Sequence, residues 1–204
     1  MSGDPRFWNM IARRYARRPL SDKAAHAEKL RLARVRLAPE DRIVELGCGT
    51  GTTALALAPH VARIEAWDIS PAMIGIARER GAGVENVAFQ VGDTEAALAT
   101  PGADAILAHS LLHLLPDWRD TIARVHAALR PGGRFFSTTF CLGGRVRALR
   151  PVVRALAPLG LFPPLQWFTA EELTGAMEAA GFELEHRWQP TPGAAEFVIA
   201  RRPG

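Results

Sequence analysis

The sequence predicts an α/β fold, a doubly wound sheet with helices on both faces, and three observations carry that prediction. Residues 42–46 read as a short buried strand that runs through a glycine turn into a helix, and strand candidates at 63–68 and 87–93 each end in a carboxylate. A chain of 204 residues with 48% hydrophobic content can also bury the core of one such domain. A single domain is expected over 1–204: an N-terminal helical cap (1–38), a ligand-binding core (39–139), a lid insertion (140–168), and a C-terminal helix and hairpin (169–204).

Ile43, Val44 and Leu46 supply the first strand, and the small and aliphatic residues of 52–58 suit a packed helix. Between them stands Gly47-Cys48-Gly49-Thr50-Gly51. Gly47 and Gly49 can take positive φ and put no side chain above the backbone, so a ligand can lie against the peptide groups at the helix N-terminus. The spacing is G-x-G-x-G; a dinucleotide fingerprint would need its third glycine at position 52, where Thr52 stands. Near the end of the chain, residues 182–189 and 194–201 have strand-like content around Pro190-Thr191-Pro192-Gly193, a hairpin turn.

The glycine turn, with Glu45 two positions before Gly47, resembles motif I of the class I S-adenosylmethionine (SAM) dependent methyltransferases. The later segments resemble that family in its own order. Asp68, which closes Arg63-Ile64-Glu65-Ala66-Trp67-Asp68, stands where the family holds the cofactor ribose, and Asp93, closing 87–93, stands where an acid lies near the adenine amino group. Residues 104–117 resemble the fourth-strand motif, followed by a helix over about 118–129, and Leu129-Arg130-Pro131-Gly132-Gly133-Arg134-Phe135-Phe136 matches the turn into the fifth strand. The resemblance covers about residues 42–139. It implies a Rossmann-like, seven-stranded, mostly parallel sheet with the last strand antiparallel, ligands at the carboxyl ends of the strands, and SAM as cofactor. It also implies cofactor contacts at Glu45, Gly47, Cys48, Gly49, Gly51, Asp68, Ile69, Met73, Asp93, Thr94 and His109. Within the family the chain looks like the ubiquinone and menaquinone biosynthesis group, which implies a small, apolar acceptor.

Composition narrows the remaining classes. Only two cysteines occur, Cys48 and Cys141, and neither has a ligand spacing, so no metal site or disulfide framework is expected; Cys48 reads as a small residue in a tight turn rather than a nucleophile. The first forty residues hold no long apolar run, so neither a secretory signal nor a transmembrane helix is indicated and a cytoplasmic protein is expected. The net charge is +4, and the basic residues of the N-terminal region alternate with Ala and Leu at helical spacing. That pattern is a solvated face, and without interleaved aromatic residues it predicts no nucleic-acid partner.

Two regions outside the core would choose the acceptor, a small molecule. In the first, Phe7, Ile11 and Tyr15 fall at i, i+4 and i+8 of a helix, and a second helix starts near Ser21-Asp22 and runs to about residue 37. In small-molecule methyltransferases such a first helix often lies over SAM, where Tyr15 could touch the methionine end or the acceptor; an amphipathic helix edge explains it equally well. Lys29 could reach the cofactor carboxylate, although a surface lysine is the simpler expectation. The second region, 141–168, is expected to pack as a lid whose Leu159, Leu161, Phe162, Trp167 and Phe168 form an apolar pocket over the cofactor's methyl group. Arginines among those apolar residues also suit transient membrane contact through 143–168 and a phospholipid-headgroup N-methyltransferase, but Pro151, Pro158, Pro163 and Pro164 break any long amphipathic helix.

Methyl transfer from a sulfonium releases a neutral thioether, so the leaving group needs no acid. The protein must align the acceptor and, for a hydroxyl, carbon acid or protonated amine, remove a proton. His109 and His113 follow the fourth strand, where the family's acceptor pocket opens, and with Tyr15 they are the candidate catalytic residues; a histidine near its ordinary pKa could accept a proton at neutral pH. His113 could equally serve only to shape its loop. A non-catalytic SAM-binding regulator would keep the glycine turn and Asp68 without turnover.

Overall fold

Adjacent apolar residues of the central strands point to opposite faces of one sheet, so each strand feeds two cores. The computed structural model describes residues 4–18, 22–144, 148, 150–156, 163–191 and 193–204. Its strands are β1 (Arg42–Leu46), β2 (Arg63–Asp68), β3 (Val87–Val91), β4 (Ala103–His109), β5 (Leu129–Thr139), β6 (Glu183–Trp188) and β7 (Glu196–Arg201), in the order β3-β2-β1-β4-β5-β7-β6. β1 to β5 run parallel, and β7 is antiparallel to both β5 and β6. This is the sheet that the resemblance implies.

The helices are α1 (Arg6–Arg17), α2 (Lys23–Arg34), α3 (Thr52–Leu57), α4 (Pro71–Arg80), α5 (Thr94–Ala97), α6 (Trp118–Ala128), α7 (Arg150–Leu156) and α8 (Ala170–Ala179). On one face Val44, Ile106, Phe135 and Val198 pack with Trp118, Ile122 and Val125 of α6 and Leu173 and Met177 of α8. On the other, Ile43, Leu107, Phe136 and Ile199 pack with Leu32 of α2, Leu57 of α3 and Ile74 and Ala77 of α4. Phe135 and Phe136 are both fully buried, and truncating either to alanine would cost about 3–5 kcal/mol.

Short polar side chains start several helices by accepting otherwise unpaired N–H groups. Asp22 accepts from Ala25 at 2.8 Å, Ser70 from Met73 at 3.2 Å with Pro71 in the first turn, and Asp93 from Ala96 at 3.0 Å. Thr169 and Glu172 form a reciprocal capping box at α8.

Two expectations change, and the docking of α1 is resolved. α2 ends at Arg34 rather than near 37, and the chain closes with a turn in which the N–H groups of Arg36 and Leu37 return to the Ala33 carbonyl. Ala12 is the buried residue of α1, and Tyr15 is 46% exposed. Asn9, Ala12 and Ala16, at i, i+3 and i+7, form the docking face, since small and polar residues let α1 approach α4 closely. In the lid, Leu159, Leu161 and Phe162 lie outside the described residues. Phe168 is 2% exposed, its ring centroid 4.2 Å from that of Trp118, and so anchors the insertion in the core. Among the described residues no helix is long and apolar enough to cross a membrane.

Candidate active site

The strand order reverses beside β1, whose neighbours are β2 and β4, and the carboxyl ends of β1 to β4 gather there. Gly47, Gly49 and Gly51 all have left-handed φ, at +65°, +55° and +80°. They do not serve alike. A Cβ on Gly51 would lie 2.8 Å from Phe89 and one on Gly47 3.0 Å from Leu111, so these two allow close packing. A Cβ on Gly49 would meet only the edge of the Tyr15 ring, at 3.9 Å. Above Gly49, therefore, is a space roofed by α1.

Two carboxylates reach this turn. Asp68 accepts the Gly49 N–H at 2.9 Å with one oxygen and the Ser70 N–H at 2.9 Å with the other; burial raises its pKa against the effect of those bonds. Glu45, in β1, is 2% exposed, and its Oε2 is buried without a hydrogen-bond partner. Burial pushes its pKa up to about 8, opposed by the Ala54 N–H and aided by the charge of Asp68. Cys48 is buried, and burial followed by the charges of Glu45 and Asp68 drives its thiol far upward, leaving it protonated and unreactive.

α1 is fastened over the turn by contacts that have no local signature in the sequence. Asn9 Oδ1 accepts the Ser70 hydroxyl at 2.6 Å and the Ala72 N–H at 3.3 Å. Arg80 donates to Thr50 Oγ1 and to the Ala16 carbonyl, both at 2.7 Å. Tyr15 has its phenol pKa raised, first by burial and then by the charge of Asp68. Of the other expected contacts, Ile69 is half-buried, Met73 is packed at 2% exposure, and Asp93 caps α5, of which Thr94 is the first residue.

The two histidines depart from expectation. His109 ends β4 opposite Thr138 of β5, and its Nδ1 lies 2.8 Å from Thr138 Oγ1. Burial pushes its pKa down to about 3, and the positive charges of Lys29 and His26 on α2 add to the shift. Lys29 is thus no simple surface lysine; it is half-buried, with its own pKa lowered by burial against the influence of Asp22. His113 sits in a short 3-10 turn (Leu112–Leu114), 7% exposed, its Nδ1 without a partner and its ring edge-on to Phe140 at 5.3 Å. Burial lowers its pKa to about 4. A histidine near its ordinary pKa is therefore present at neither position, because both rings are withdrawn from water and His109 also feels nearby cations. Between them Ser110 has φ +55°, a left-handed turn that bends the chain out of β4. The His113 carbonyl accepts the Gln166 N–H at 2.8 Å, tying this loop to the lid. Thr138 was missed in the sequence, although a run of Ser137, Thr138 and Thr139 ending an apolar strand was the signal available.

The fold and the converging strand ends belong to a known group. The chain matches a methyltransferase domain family over residues 12–187 and belongs to it; SAM is the methyl donor of that family. It is 36% identical over 103 residues to a trans-aconitate 2-methyltransferase of Mycobacterium sp. (strain KMS), which is 50% of this chain and 39% of that protein. The match covers 39% of that protein and 47% of the corresponding protein of Variovorax paradoxus (strain S110), less than half the length of each. Among solved structures it is similar to a SAM-dependent methyltransferase from Mesorhizobium loti, with TM-score 0.72, 25% identity, and coverage of 89% of this chain and 99% of that one. It also shares its fold with a geranyl diphosphate methyltransferase in complex with SAM, with TM-score 0.70, 19% identity, and coverage of 87% and 84%.

Proposed function

We propose that this chain transfers the methyl group of SAM to a small-molecule acceptor, with SAM on the glycine turn and the acceptor beyond the ends of β4 and β5. The observation that supports this most is the buried, partnerless Oε2 of Glu45, two residues before a glycine turn that leaves room above Gly49. An uncompensated buried acceptor calls for a donor, and the α-ammonium of SAM is one. Asp68 is suited to the ribose hydroxyls, since each of its oxygens keeps a lone pair, and the second oxygen of Asp93 to the adenine amino group. Gly49 would let the cofactor approach the backbone, Ile69 and Thr94 would border the adenosine, and Tyr15 would close over the methionine end.

Bound SAM supplies a methyl carbon made electrophilic by its sulfonium. The residues of the chain then align the acceptor and exclude water. With pKa values near 3 and 4, His109 and His113 stay neutral but are weak bases at neutral pH, poorly matched to removing a proton from a hydroxyl. Their part is positioning: His109 is held by Thr138, and His113, buried with a partnerless Nδ1, shapes the loop whose carbonyl is bonded to the lid. Such a site favours an acceptor whose nucleophile is already ionised or carries a free lone pair.

Calorimetric titration with SAM and S-adenosylhomocysteine, with NAD as control, tests the reading. Binding of the first two and not the third is expected, and Asp68→Ala should weaken both while leaving thermal unfolding cooperative. Unchanged affinity in that variant would remove the site assignment. Turnover with an acceptor separates the enzyme from a SAM-binding regulator.

A further inference from the structure

We infer that the cavity between the lid and the start of α6 binds an anionic group of the acceptor, a carboxylate or a phosphate on a small molecule with a flat or apolar body. This rests on the reading that the acceptor enters beyond β4. The cavity has a volume of about 380 Å³, and Trp118, Arg119, Arg150, Gln166, Trp167 and Glu172 are among its walls. Its size suits a small molecule, and its chemistry is selective: two guanidinium groups, one side-chain amide and two indoles.

The Arg119 guanidinium lies 4.1 Å from the centroid of the Trp118 ring, a cation–π contact that holds it at the cavity wall without using its N–H groups. Nearby Arg124 is neutralised by Asp120 and Glu95, whereas among the described residues neither Arg119 nor Arg150 has a carboxylate within ion-pair distance. Glu172 is the one acid of the lining. Its Oε2 already accepts the Thr169 N–H at 2.7 Å in the capping box, so it is held at the helix start and leaves the cavity with an excess positive charge. The wall also touches the reaction side, because Gln166 donates its N–H to the carbonyl of His113. An acceptor anchored here by a charged group would have its other end beside the histidine loop, and binding energy gained away from the reacting atom would serve orientation.

The test is calorimetry on the protein saturated with S-adenosylhomocysteine, titrated with trans-aconitate and geranyl diphosphate and with their neutral counterparts, trimethyl trans-aconitate and geraniol. At least one anion should bind ten or more times more tightly than its neutral counterpart. Which anion binds separates a carboxylate from a phosphate site. Arg119→Gln and Arg150→Gln should each weaken that binding about tenfold, while Arg124→Gln, outside the cavity, should not, and S-adenosylhomocysteine affinity and thermal unfolding should match wild type in all three. Equal binding of anion and neutral form, no effect of either arginine variant, or no binding of either anion to the S-adenosylhomocysteine complex would overturn the anion site and leave the cofactor reading intact. Failure of wild type to bind S-adenosylhomocysteine would overturn the reading beneath it.

Discussion

At Glu45 the structure places a carboxyl group where it is neutral in the free protein and useful only when a cation arrives. With its pKa at about 8, it carries a proton at pH 7. An ammonium brought against Oε2 favours the ionised form, so SAM binding at pH 7 should release close to one proton, and at pH 9 almost none. Calorimetry in buffers of different ionisation enthalpy measures this directly, and Glu45→Gln, which keeps an acceptor for Ala54, should abolish the release. The glycines give a second prediction, since equal backbone strain is paired with unequal space. Alanine at position 49 or 51 pays about 1–2 kcal/mol for the left-handed conformation, but only at Gly51 does the new Cβ also collide with Phe89, at 2.8 Å. Gly51→Ala should therefore lower the melting temperature further than Gly49→Ala, whereas Gly49→Ala should lose more SAM affinity than stability. The reverse order would mean that the space above Gly49 is not the binding surface.

At the scale of elements, the roof of the site is a helix attached by side chains rather than by an apolar seam. Arg80 of α4 bonds both the Ala16 carbonyl of α1 and Thr50 of the glycine turn. Arg80→Ala should raise amide exchange across α1 at least tenfold and weaken SAM several-fold, with β4 amides unchanged; hydrogen exchange by mass spectrometry reads both ends of that contrast. The same comparison marks what a sequence can disclose. The glycine turn was legible because left-handed positions demand glycine, whereas Asp68 and Asp93 were singled out by the order of the motifs that resemble the family. Asn9 bonding Ser70, or Arg80 reaching back to Ala16, joins ordinary polar residues more than sixty positions apart, and nothing local distinguishes them from solvated ones. The antiparallel β7 came from family resemblance, not from periodicity, because strand order is decided by packing. The histidine pKa values were misjudged for a related reason: the sequence shows that His109 follows a strand, but not that Thr138, Lys29 and His26 surround it.

At the scale of the whole molecule, the buried groups at the strand ends set opposing pH limits on stability. Between about pH 6.5 and 4.5 the unfolded chain protonates His109 and His113 while the folded chain, with values near 3 and 4, does not. Over the same interval the folded chain holds a proton on Glu45, at about 8, that the unfolded chain has released, so the difference is about one proton in favour of unfolding. Stability should then fall by about 1.4 kcal/mol for each pH unit of acidification. His26, His126 and His186, all lowered first by burial, act in the same direction, while Asp68, raised by burial, acts with Glu45. At pH 6.5 the unfolded histidines are still half protonated; above about pH 7.5 they are neutral in both states and Glu45 alone remains, so stability should decline again as pH rises further. A maximum near pH 7 is expected in urea unfolding followed from pH 4.5 to 9. Glu45→Gln should flatten the alkaline limb and steepen the acid one, and saturating SAM, by favouring the carboxylate, should move the maximum upward; a curve that rises steadily from pH 6.5 to 9 without ligand would show that Glu45 is ionised in the folded chain.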